Sequence, residues 1–415
     1  MASLRVAAQL RPMTSRVLPR TVRTYATTSV KPFFTGEPER PHVKTAIPGP
    51  ESQKAIAELD KTQMEMYCWM FTHKFASIPV GYSNPHLLKA AQSEQMASAI
   101  INRPALGNFP SHDWADIIKT GILKVAPKGL DQVFTAMAGS DANETAYKAA
   151  FMYRRQQERG GAHVEFSEED IASSMLNQAP GAPQLSILSF KTAFHGRLFG
   201  SLSTTRSKPI HKLDIPAFDW PQATFPLLKY PLEDHVEENR KAEEEALADV
   251  ERIITTHHLP PCAVVVEPIQ SEGGDNHASP AFFRGLRALT KKHNVLLIVD
   301  EVQTGVGATG KFWAHEHWNL ETPPDMLRLE NYLYGELERL AKQYPGEIQN
   351  LRGKGQGTFL AFDSNRRDEV LKKAKSVGIN IGGSGERAVR LRPMLIFQEH
   401  HADILLEGLE KIFKS

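Results

Sequence analysis

The chain has 415 residues, 41% of them hydrophobic and 23% charged, with a formal net charge of +1. That is globular composition, long enough for two domains, and its near-neutral balance argues against nucleic acid or an anionic membrane surface as partner. No apolar run reaches the roughly 18 residues that cross a bilayer. The two cysteines, Cys68 and Cys262, argue against a disulfide scaffold and are expected as reduced thiols.

The first 36 residues carry Arg5, Arg11, Arg16, Arg20, Arg23 and Lys31 and no Asp or Glu. A basic, hydroxyl-rich, acid-free start predicts a mitochondrial transit peptide over residues 1–25, with processing after Tyr25 in Arg23-Thr24-Tyr25-Ala26; the plainer alternative is a disordered basic tail. Loss of its five arginines takes the charge from +1 to −4. Residues 31–50, with Pro32, Pro38, Pro41, Pro48 and Pro50, read as an extended arm. An N-terminal segment is expected to run to residue 90, with helix from Glu51, a turn at Asn84-Pro85 and helix over Leu87–Ile100.

From Asp131 onward short apolar runs alternate with amphipathic helices. Strands are predicted at Gln132–Ala136, Leu185–Phe190, Cys262–Val266 and Val295–Val299. Their Val, Ile and Leu run without alternation, as in strands covered on both faces. Long acidic helix is expected over Leu232–His258. A second helix, Ala281–His293, follows Ser279-Pro280, a cap and first-turn pair. This order predicts an α/β fold with a mostly parallel sheet in a large domain, residues 91–326. Beyond it, a helix over Asn331–Gln343 and glycine-punctuated strands predict a smaller α+β domain, residues 327–415.

Chemistry gathers at the strand ends. Ala138-Gly139-Ser140-Asp141-Ala142-Asn143-Glu144 opens a helix, and its free amides favour a phosphate. Asp141 and Glu144 have capping-box spacing, and for the motif alone an ordinary capped helix is the plainer reading. Thr192-Ala-Phe-His-Gly-Arg197 offers an aromatic that can stack on a flat ring and an arginine that can grip a carboxylate; a core Phe beside a solvent-facing Arg is the bland alternative. Glu267-Pro-Ile-Gln-Ser-Glu-Gly-Gly274 and Asp300-Glu-Val-Gln-Thr-Gly305 place Glu267, Glu272 and Asp300 where ligands of parallel sheets bind. Such buried carboxylates need partners: a pyridinium nitrogen suits Asp300, an arginine Glu272. Gly305-Val-Gly307-Ala-Thr-Gly310 fits the dinucleotide fingerprint, but it stands away from the strand and opens no helix.

In this order the motifs resemble the class III, fold-type I, pyridoxal 5'-phosphate (PLP)-dependent aminotransferases. Ala76-Ser-Ile-Pro-Val-Gly-Tyr82, Ile101-Asn-Arg-Pro-Ala-Leu-Gly107 and Leu391-Arg-Pro-Met-Leu-Ile-Phe397 are similar to the fungal mitochondrial 4-aminobutyrate (GABA) branch of that family. The resemblance implies a homodimer in the mitochondrial matrix that moves an amine from 4-aminobutyrate to 2-oxoglutarate. It implies cofactor contacts from Gly139 and Ser140 (phosphate), Phe194 (stacking), Asp300 (ring nitrogen) and Gln303. It gives Arg197 a substrate carboxylate, and Glu272 and Arg390 a switchable pair. No metal is implied: Ala138 and Asp141 stand where some relatives have cluster-binding cysteines.

One departure matters most. The family's Schiff-base lysine lies roughly thirty residues beyond the aspartate and is required for covalent chemistry. Here Thr322-Pro-Pro-Asp-Met326 leads straight into Leu327-Arg-Leu-Glu-Asn, which resembles the later linking helix. Lys311, Lys342 and Lys354 remain, none in a matching context. The expectation is an inactive chain that holds PLP non-covalently at best. The open alternatives are a non-catalytic splice-variant homologue and another ω-amino-acid specificity. The lost segment is also expected to remove two strands between Gln132–Ala136 and the Asp300 strand. A poor match between Asp60 and Phe75 is a second local break.

Overall fold

A computed structural model describes residues 49–62, 84–101, 110–127, 130–319, 327–394 and 397–414, with a few single positions between residues 40 and 80. The expected transit peptide (residues 1–25), most of the arm at 31–50, the poor match beyond residue 62 and the run at 322–326 lie outside the described residues.

The N-terminal helices are α1 (Pro50–Thr62), α2 (Pro85–Ala91), α3 (Glu94–Ile101) and α4 (Trp114–Thr120). The single helix expected over Leu87–Ile100 is thus two. Asn84 caps α2 through its side chain, with Pro85 in the first turn. The large domain continues with α5 (Gly139–Glu158), α6 (Glu168–Ser174), β1 (Ser186–Phe190), α7 (Phe199–Thr204), β2 (Gln222–Ala223), α8 (Val236–Thr256), β3 (Pro261–Val266), α9 (Pro280–Lys292) and β4 (Leu296–Val299). Ser279 caps α9 as its sequence predicts, its hydroxyl accepting from the amides of Ala281 and Phe282.

The strands form a parallel sheet in the order β2-β1-β3-β4. β1 and β3 are buried throughout, and their alternate residues feed two cores. Leu188, Phe190, Val264 and Val266 pack with α8 and α9, through Val250, Phe282 and Leu286. Ile187, Ala263 and Val265 pack on the other face with Tyr147 and Ala150 of α5. Continuous apolar runs follow from that double coverage.

β4 is different. All four of its residues are only half-buried, and β3 is its one strand neighbour among the described residues. The amide of Asp300 donates to Val266 O at 2.8 Å. Because successive residues point to opposite sides, the backbone groups of Leu297 and Val299 face an open edge. The strand expected at Gln132–Ala136 is not formed: residues 130–136 have no regular structure, and Leu130, Phe134 and Met137 are exposed. An apolar run becomes a strand only where a neighbouring strand accepts its hydrogen bonds, and none among the described residues reaches it here.

The C-terminal part comprises α10 (Leu327–Gln343), β5 (Gln349–Arg352), β6 (Leu360–Asp363), α11 (Arg367–Ser376), β7 (Gly382–Ser384), β8 (Ala388–Leu391) and α12 (Glu399–Phe413). Its antiparallel sheet has the order β5-β6-β8-β7. One core joins α10, α12 and the sheet, through Leu337, Leu340, Phe362, Val389, Leu406 and Leu409. Arg352 ties this part to the large domain, donating to Gly274 O at 2.7 Å and Asp275 O at 3.1 Å. Arg392 pairs with the Asp275 carboxylate. These arginines fix the loop that carries Glu272.

Candidate active site

The carboxyl ends of β1, β3 and β4 and the start of α5 enclose a cavity of about 390 Å³. Gly139, Ser140, Phe194, Arg197, Asp300 and Gln303 all line it. The six arrive from three separated stretches of chain, as strand-end geometry in a parallel sheet requires.

At one end is the start of α5. Ala138, its N-cap, is extended and contributes no side-chain cap. The expected capping box is absent. Asp141 instead accepts the amide of Met137 at 2.9 Å, and Glu144 accepts the amides of Gly200 and Ser201 at 2.7 and 3.2 Å. The first turn therefore keeps its positive dipole end toward the cavity. Ser140 Oγ accepts the amide of Arg197 at 3.1 Å. Gly196 has φ +118°, and a Cβ there would lie 2.3 Å from Ser140 Oγ, so only glycine lets the Phe194–Arg197 loop close on α5.

At the other end is Asp300. Its Oδ2 accepts from Asn143 Nδ2 at 2.8 Å and lies 2.8 Å from His195 Nδ1. Val302 N donates to Oδ1 at 3.1 Å. Burial pushes this carboxyl upward, but the His195 hydrogen bond and charge, with the Asn143 and Val302 donors, outweigh it and hold it below the usual carboxylate range. Asp300 is therefore ionised and suited to a protonated ring nitrogen. Glu267, at the end of β3, behaves oppositely. Burial first, and the charge of Asp300 second, push it well above its ordinary value. Its Oε2 accepts the amide of Phe194 at 2.9 Å.

Arg197 reaches past Phe194, its guanidinium 5.5 Å from the ring centroid. Burial lowers its pKa, opposed by Glu272. The predicted Glu272–Arg390 pair is present but loose, 3.7 Å between Oε2 and Nη1, with both side chains buried. Lys208 holds Glu272 more closely, donating to Oε1 at 2.6 Å. Lys208 and Arg390 line a second cavity of about 650 Å³ with Arg367 and Lys375. The basic lining suits an anion. Four buried polar atoms in and beside the first cavity have no hydrogen-bond partner: His195 Nε2, Arg197 Nε, Gln303 Oε1 and Glu272 Oε2. These atoms leave hydrogen-bonding capacity for a polar ligand in the cavity.

Sequence reading assigned no role to Asn143, His195 or Lys208. Asn143 and His195 stood inside quoted motifs, yet nothing local says that they converge on Asp300. Lys208 has no sequence signal, being 64 residues from Glu272. The glycine run at 305–310 forms turns and no helix. Lys342 and Lys354 line a different cavity, beside Tyr230 and Tyr334. No lysine lines the Asp300 cavity among the described residues.

The class III aminotransferase family model matches residues 66–330 and 326–413, two segments that meet at 326–330. The chain belongs to the class III aminotransferases. The 4-aminobutyrate aminotransferase of Emericella nidulans is 58% identical, covering 100% of this chain and 99% of its own. That alignment runs over 498 positions against 415 residues here, so at least 83 of its positions face gaps in this chain. The Saccharomyces cerevisiae 4-aminobutyrate aminotransferase is 44% identical, covering 91% of this chain and 98% of its own. Among solved structures, lysine aminotransferase from M. tuberculosis superposes with a TM-score of 0.67 at 25% identity, over 81% of this chain and 87% of that one. These findings establish fold type I, and PLP is the cofactor of the family. The dipole end at Gly139 and Ser140 fits its phosphate, and ionised Asp300 fits its ring nitrogen. The described lining offers no amine for covalent attachment.

Proposed function

We propose that this chain is a 4-aminobutyrate:2-oxoglutarate aminotransferase by descent that keeps the binding site and has lost turnover. The observation that carries this reading is a cavity lined by Gly139, Ser140, Phe194, Asp300 and Gln303 with no lysine in its described lining. The 58% identity to a 4-aminobutyrate enzyme supports that substrate over other ω-amino acids.

When bound, the cofactor supplies an electron sink for the carbon that bears the amine. Gly139 and Ser140 would hold its phosphate, Phe194 would stack on the ring, Asp300 would keep the ring nitrogen protonated, and Gln303 would be a further ring contact. His195 and Asn143 fix the Asp300 carboxylate. Arg197 takes the distal carboxylate of 4-aminobutyrate. With Glu272 engaged by Lys208 and Arg390, space is left for a substrate lacking an α-carboxylate; released, Arg390 grips that of glutamate. The missing part is an amine that holds the cofactor and carries the proton.

The acid-free N-terminus supports import into the mitochondrial matrix, as does the name of the Homo sapiens relative, a mitochondrial 4-aminobutyrate aminotransferase 39% identical to this chain. A homodimer belongs to the same reading. The test is an assay of residues 26–415 with PLP, 4-aminobutyrate and 2-oxoglutarate. The expected rate equals that of an Asp300→Ala control; PLP-dependent succinate semialdehyde above that control contradicts the proposal.

A further inference from the structure

We infer that Glu267 is the counter-ion for an amine on the cofactor's reactive carbon, so that this chain takes pyridoxamine 5'-phosphate in preference to the aldehyde form. The inference rests on the cavity being the cofactor site.

β3 and β4 run parallel with Val266 opposite Val299, so Glu267 and Asp300 stand next in register on adjacent strands, roughly 4.8 Å apart in backbone spacing. Both line the cavity. Asp300 is already partnered by His195, Asn143 and Val302. Glu267 has the amides of Phe194 and Ser271, against burial and the neighbouring carboxylates of Asp300 and Glu272. Lys208 is taken up by Glu272. Two neighbouring buried carboxylates do not both ionise without a second cation.

The aldehyde form brings no cation to that end of the ring, and it meets no lysine in the described lining with which to condense. It is left with the phosphate and ring contacts alone. The aminomethyl group of pyridoxamine phosphate carries a positive charge and three donors. Placed beside Glu267 it would make a charge-assisted hydrogen bond to a buried carboxylate. In a chain with the lysine, that amine would satisfy Glu267 from the protein side. Here the ligand has to bring it.

The experiment is equilibrium titration of residues 26–415 with pyridoxamine 5'-phosphate, pyridoxal 5'-phosphate and 4'-deoxypyridoxine 5'-phosphate, which lacks both amine and aldehyde. The expectation is that the amine binds about tenfold more tightly than the other two, the factor that one hydrogen bond to a charged group provides. Glu267→Gln should erase that advantage, with a circular dichroism spectrum and urea transition like the wild type's showing that the variant folds. If all three bind equally in the wild type, the inference fails while the cofactor site stands. If the aldehyde binds most tightly and borohydride fixes it to a lysine, the inference fails together with the proposed inactivity. If none binds, the cofactor-site reading itself is wrong.

Discussion

Asp300 and Glu267 stand on neighbouring strand ends of one cavity and are driven in opposite directions. Asp300 is held below its ordinary pKa by His195, Asn143 and the Val302 amide, against burial. Glu267 is pushed above its own by burial and by Asp300. The pH dependence of stability separates them. A depressed carboxyl contributes stability above its unfolded pKa of about 3.9 and loses it as pH falls through the lower folded value. Asp300→Asn should therefore lower the unfolding free energy from urea titration near pH 7 by about 1–3 kcal/mol, and the deficit should shrink in acid. A deficit that persists unchanged at low pH contradicts the assignment.

Glu267 carries the reverse sign. Its folded form binds the proton more tightly than its unfolded form, so its contribution is fullest below about pH 4.3 and falls as pH rises toward the folded value. Glu267→Gln should leave the chain as stable as the wild type in acid and more stable near neutrality. Equal urea midpoints at both pH values would show that Glu267 is ionised in the folded chain.

Lys208 and Glu272 yield a third expectation. The 2.6 Å hydrogen bond compensates a carboxylate whose other oxygen is 3.7 Å from Arg390. Lys208→Met should cost about 1.5–3 kcal/mol, the range for a hydrogen bond to a charged group. It should also weaken binding of glutarate, a dicarboxylate probe, because Arg390 is then drawn onto Glu272. Unchanged glutarate affinity by calorimetry would remove Lys208 from the substrate region.

The open edge of β4 is testable by amide hydrogen exchange. The amides of Leu297 and Val299 point away from β3, whereas Val264 and Val265 lie in the central strand. The edge amides should exchange roughly tenfold or more faster. Protection equal to that of β3 would mean that another strand covers the edge.

The sequence made the fold legible where local signals and tertiary contacts agree. β1, β3 and β4 lie within a residue or so of their apolar runs, and Ser279 caps its helix. Gln132–Ala136 failed because a strand is a property of a pair, and its exposed Phe134 and the nearby Met137 find no neighbouring strand among the described residues. Asp141 and Glu144 kept capping-box spacing while bonding elsewhere. Gly139, Ser140, Phe194, Arg197, Asp300 and Gln303, singled out by their motifs, share one cavity. His195, Asn143 and Lys208 were not singled out, because their partners lie 105, 157 and 64 residues away in the chain.

The central claim is a cofactor cavity without its covalent lysine, and reductive trapping tests it most directly. Residues 26–415 are incubated with PLP, reduced with borohydride, digested and analysed by mass. No pyridoxyl-lysine peptide is expected, together with saturable, reversible binding of the cofactor. A single modified lysine at stoichiometric yield, whether Lys208, Lys311 or another, would contradict that claim and identify the residue that took the missing amine's place.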